Sequence, residues 1–109
     1  MLQSEVYELL CSTDLEVYFY EADTDPTLPY IVYLKDGETA WGADERNFLR
    51  KESYIAELYS AKKDFENQRK IEAALDAVGI PYDVTEDYIE EEKMYLAVFT
   101  FEITRKVER

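Results

Sequence analysis

Apolar residues change their spacing several times along this chain, and each change marks an element. Leu2, Val6, Leu9 and Leu10 recur at helical intervals, with Gln3, Ser4, Glu5 and Glu8 between them. That spacing predicts a short amphipathic helix over residues 2–12. From Leu15 the period drops to two. Leu15, Val17 and Phe19 would share one face of a strand reaching Glu21, and Glu16, Tyr18 and Tyr20 the other. Residues 23–29 hold two prolines and two aspartates and read as a loop. The apolar run from Tyr30 to Leu34 predicts a strand covered on both faces, ended by the turn signal Asp36-Gly37.

Periodicity is weakest over residues 36–52, which read as an extended arm or hairpin tip. A third strand follows from Ser53 to Ser60, with Tyr54, Ala56 and Leu58 on one face. The clearest element comes next. Asp64 suits an N-cap, Ile71, Ala74, Leu75 and Val78 form one helical stripe, and Gly79 and Pro81 supply the stop. Tyr82 to Ile89 and Met94 to Thr104 then predict a hairpin around Glu90, Glu91 and Glu92. Tyr95, Ala97, Phe99, Phe101 and Ile103 share a face of its second strand. Residues 105–109 read as a charged, frayed end. The expected order is α-β-β-β-α-β-β: an α+β fold with a mainly antiparallel sheet and two helices packed on one face. With 109 residues and no linker or repeat, one domain spanning 1–109 is expected.

Charge changes the picture. The chain has 25 acidic and 12 basic residues, a net charge of −13, and no Lys or Arg before Lys35. Specific binding to nucleic acid or anionic lipid is therefore disfavoured, since no basic surplus neutralises phosphates. Three uses of the acidity stand side by side: solubility, the lining of a passage through which DNA slides, and mimicry of DNA. No run approaches a membrane span, and the N-terminus has neither the basic start nor the apolar stretch of a signal peptide. Cys11 is the only cysteine, so no internal disulfide forms; beside Leu9 and Leu10 it reads as a small buried residue.

The chemistry of enzymes is poorly represented. There is no histidine, which removes the commonest general base and metal ligand. Three glycines cannot build a phosphate-cradling loop. Glu86, Asp87 and Glu90 to Glu92 form a solvated acidic hairpin without the periodicity of a calcium loop, leaving at most weak calcium binding. No catalytic, cofactor or metal residue is assigned. The arm is different. It holds the only tryptophan, Trp41, with Arg46 and Phe48 close behind it. Trp and Arg are enriched at interface hot spots, and the ten tyrosines suit half-buried sheets and interfaces. Trp41, Arg46 and Phe48 are the candidate interface residues, the alternative being that Trp41 folds back over the sheet. The arm's cations would pair with an acidic face of a neighbouring copy, head to tail.

Several stretches resemble the tail terminator (tail completion) proteins that join head and tail in long-tailed phages and prophages. They are the N-terminal helix leading into Val17-Tyr18-Phe19; the second strand Leu28-Pro29-Tyr30-Ile31-Val32-Tyr33; and Trp41-Gly42-Ala43-Asp44 in the arm. Tyr54 to Asp64 entering the second helix and Tyr88 to Tyr95 at the final hairpin continue the likeness, which covers nearly the whole chain. The resemblance implies a non-enzymatic virion protein without cofactors, assembled in the host cytoplasm and placed at the tail–head junction. It implies a homo-oligomeric ring, commonly a hexamer, that caps the tail tube protein, meets a head-side connector protein and lets DNA pass through its hole. An acidic DNA-mimic inhibitor of a DNA-binding enzyme is the alternative function.

Overall fold

The computed structural model describes residues 3–42 and 47–108. The elements follow the expected order: α1 (Gln3–Cys11), β1 (Glu16–Phe19), β2 (Tyr30–Gly42), β3 (Asn47–Ser60), α2 (Phe65–Ala77), β4 (Tyr82–Ile89) and β5 (Met94–Glu108). The five strands form one sheet in the order β1-β2-β3-β5-β4. All neighbours are antiparallel except β1 and β2, which run parallel.

The core lies on one face of this sheet. Register places Ile31 and Tyr33 beside Leu58 and Ala56, and these beside Ala97 and Phe99. Val6 and Leu10 from α1 and Ile71 and Leu75 from α2 close over them, all fully buried. The period-two and period-3.6 patterns thus meet in a single layer. α2 begins where expected: the Asp64 side chain accepts the Asn67 backbone N–H at 3.1 Å. It ends at Gly79, whose φ of +69° is the left-handed stop that other residues adopt at a cost. β1 stops after four residues, as Tyr20 turns to a φ of 69° and its N–H bonds the Tyr33 carbonyl.

The second half of the sheet departs from expectation. Asp36-Gly37 is not a turn; β2 passes through it with a bulge between Lys35 and Gly37 and continues to Gly42. β3 begins at Asn47 instead of Ser53. Nor is the charged end frayed over residues 105–108: β5 runs to Glu108, paired with β3 down to Asn47, while Arg109 lies outside the described residues. The arm is therefore a three-stranded blade, made of residues 36–42, 47–53 and 102–108, continuous with the core sheet. At about 3.3 Å per residue the 14 residues of β3 span roughly 46 Å, which accounts for the molecule's 52 Å long axis. Cys11 is half-buried instead of fully enclosed.

Phe99 is fully buried between the helices and the sheet. Phe99→Ala is expected to lower the unfolding free energy by about 3–5 kcal/mol, read by denaturant titration. A loss below about 1 kcal/mol would contradict this placement of the core.

Candidate functional site

The blade joins the body at one polar cluster. Glu52 takes the register position two residues before Tyr54, on the face that carries the core, and is 3% exposed. A carboxylate buried there requires partners. Arg105 Nε donates to Glu52 Oε1 at 2.7 Å, and the Tyr54 hydroxyl donates to Oε2 at 2.8 Å. Lys35 Nζ lies 3.6 Å from Oε2 and also bonds Glu38 at 2.7 Å. One residue from each blade strand thus meets at the root: Lys35 from β2, Glu52 from β3 and Arg105 from β5. Burial pushes the Glu52 carboxyl up, but the hydrogen bonds from Arg105 and Tyr54 and the Lys35 charge outweigh it and hold the group below its ordinary range. Burial and the Glu52 charge push the Tyr54 hydroxyl upward.

Beyond the root, Trp41 pairs with Leu49, which pairs with Lys106, so the three stand level across the blade. Trp41 is 42% exposed and extended along β2, not folded back as a lid. Phe48 is one rung away, its backbone paired with Gly42 and Val107; its side chain and the whole of Arg46 lie outside the described residues. Trp41 and Phe48 thus occupy adjacent rungs, positions that alternate between the two faces of the sheet, so the ladder does not bring them together.

The face of the sheet away from the helices carries a second surface. Register sets Tyr30 level with Tyr59 across β2 and β3 and Tyr18 of β1 level with Val32, with Leu34 and Ile55 beyond them. The rings of Tyr30 and Tyr59 stack with centroids 5.1 Å apart, and Tyr18 meets Tyr30 edge-on at 5.9 Å. This packing buries Tyr30 and Val32, although both helices lie on the other face. Carboxylates border these tyrosines. The Tyr18 hydroxyl donates to Glu16 and is pushed up to about 12, mainly by that bond. Tyr59 is pushed up to about 12, first by burial and then by the Glu57 carboxylate. These tyrosines stay neutral at physiological pH.

Around the β4–β5 hairpin, Glu86 accepts from Gln68 at 3.0 Å and lies 3.7 Å from Lys63, while Glu90, Glu91 and Glu92 are exposed in the turn. Among the described residues no three His, Cys, Asp or Glu side chains converge as a metal site. Among the described residues no helix is long and apolar enough to cross a membrane. The Glu52 cluster was missed by pattern reading, although one signal for it existed. Glu52 continues the inward series of Tyr54, Ala56 and Leu58, where an acid demands a cation.

Against known proteins, no family model and no curated protein matches this chain. Solved structures do. A chain from the virion of a native gene transfer agent particle aligns over 99% of this chain and 95% of its own, at 15% identity and a TM-score of 0.62. The two chains share a fold. A second solved chain aligns over 100% of this chain and 96% of its own, at 10% identity and a TM-score of 0.50. Both likenesses run end to end, so they take in the blade as well as the core.

The lowered pKa of Glu52 fixes the sign of a pH effect. Its stabilising contribution is fully present above the ordinary carboxyl value of 4.5 and is lost as pH falls through the lower folded value. Glu52→Gln is expected to cost roughly 1–3 kcal/mol at pH 7, because Arg105 and Lys35 are about a quarter exposed and keep some solvation. The gap between variant and parent should shrink below about pH 4. A gap unchanged at pH 3 would contradict the ion-pair account.

Proposed function

We propose that this chain is a structural subunit of a phage-type head–tail connector: a tail terminator whose copies form a ring on the end of the tail tube and dock it to the head. The observation that carries this reading is the end-to-end fold likeness to a chain of a gene transfer agent virion. The residues that resemble tail terminators span the same elements. The partners are further copies of the chain, the tail tube protein and a head-side connector protein, and the place is the tail–head junction of the virion.

The distribution of charge supports a role at a DNA passage. Residues 35–42, 47–53 and 102–108 contain five of the 12 basic and five of the 25 acidic residues, so the described blade and its root are neutral. The rest of the chain carries the whole net charge of −13. A ring of such subunits repels phosphates and lets DNA slide without sticking.

Added to purified tails that lack it, the protein is expected to cap one end of each tube, seen by electron microscopy with a gold label. Decoration along the tube, or no binding, would contradict a terminator. Capture of DNA-binding enzymes in place of tails would favour the acidic DNA-mimic. Trp41→Ala is expected to weaken self-association about tenfold or more, measured by light scattering, with an unchanged unfolding midpoint. Unaltered association would remove Trp41 from the interface.

A further inference from the structure

The blade has two backbone edges that no strand covers among the described residues. β1 pairs with β2 only from Tyr30 to Tyr33. The next carbonyl in reach, that of Lys35, accepts the Tyr20 hydroxyl at 3.4 Å. Residues 37–42 therefore pair with β3 alone, and Asp36 lies in the bulge before them. On the far side, β4 pairs with β5 only from Met94 to Phe101. The connection from α2 to β4 passes beside Glu102, Ile103 and Thr104 without forming backbone hydrogen bonds to them. Residues 103–108 thus pair only with β3. Open edges of six residues without proline are templates for another strand.

Three features choose a second copy of this chain as the occupant. The first is direction. β2 and β5 both run antiparallel to β3, hence parallel to each other, and they bound opposite sides of one layer. A copy rotated about an axis along the blade presents its β2 edge to the β5 edge of its neighbour. That contact is heterologous and repeats until it closes. The second is charge: the blade and its root are neutral, whereas the bodies repel one another, so blades are where copies meet at least electrostatic cost. The third is level. Thr39 stands level with Thr104, and the exposed Trp41 with Lys106. In an unstaggered seam the Lys106 ammonium of one copy comes beside the Trp41 ring of the next, a cation–π contact. A stagger of two residues keeps both on the same face.

The geometry points to a parallel β2–β5 seam between neighbouring copies, which closes the blades into one continuous β-barrel with three strands from each copy. This rests on the ring reading and names the surface that makes the ring. Barrels of about 16–18 strands leave an aqueous channel, so about six copies open a bore.

The test is disulfide trapping in a Cys11→Ser background, which leaves no other thiol. Thr39→Cys with Thr104→Cys samples the unstaggered seam, and Thr39→Cys with Lys106→Cys samples the two-residue shift. Oxidation of one of these double variants should give a ladder of covalent multimers that ends at a closed species. Its subunit number should equal that from light scattering, and each single variant should stay uncrosslinked. Covalent dimers from Thr39→Cys alone would overturn the seam in favour of a twofold β2–β2 contact. Multimers by light scattering with no covalent ladder from either pair would overturn the seam while the ring stands. A monomer at every concentration, with no crosslink, would overturn the seam; tail capping would still decide the ring separately.

Discussion

One strand sets the architecture. Among the described residues β3 is hydrogen-bonded to β2 on one side and to β5 on the other over nearly all of its 14 residues. Its C-terminal half, through Tyr54, Ala56 and Leu58, supplies the floor of the core. Its N-terminal half has no helix above it and forms the middle of the blade. Because both halves belong to one ladder, the blade inherits its direction from the core and projects as a stiff extension of it. Glu52 stands at the crossing point, where the apolar layer ends and water begins. Its bonds to Arg105 and Tyr54, with Lys35 nearby, tie three strands together where the helices no longer hold them.

That division of the sheet separates two tasks. The body carries the burial that makes folding favourable, and the excess acidity lies outside the blade. The blade is electrically neutral and presents unpaired backbone with a large exposed aromatic side chain. Long open edges of this kind template pairing with another chain and are usually blunted. An unblunted edge suits the proposed assembly, in which a neighbouring copy completes its hydrogen bonding. The tyrosine cluster on the open face fits the same logic: polar tips outward, rings packed against one another, hydroxyls kept neutral by burial and neighbouring carboxylates.

Elements whose signals are local were legible in the sequence. α2 carries its own cap, stripe and stop at Asp64, Ile71, Leu75 and Gly79, and β5 alternates cleanly through Ala97, Phe99, Phe101 and Ile103 after the acidic turn. What depends on partners distant in sequence was not. Asp36-Gly37 has turn chemistry, yet the ladder with β3 outweighs it and converts it to a bulge. Residues 105–108 look like a loose end because their charge pattern is all that shows; pairing with residues 47–50 makes them a strand. The parallel pairing of β1 with β2 follows from the crossover and has no local mark. Of the candidate site, Trp41 was singled out by composition, and the structure shows it exposed on β2. The Glu52 cluster was not, because its cations come from residues 35 and 105. The open edges belong to topology alone.

The most direct measurement of the central claim, that copies assemble through the edges of the blade, is hydrogen exchange of the assembled protein compared with the monomer. The account predicts that amides in residues 37–42 and 103–108 become protected on assembly, approaching the protection of β3, while the tyrosine face changes little. Protection gained on the tyrosine face, with both blade edges still exchanging as fast as in the monomer, would contradict it.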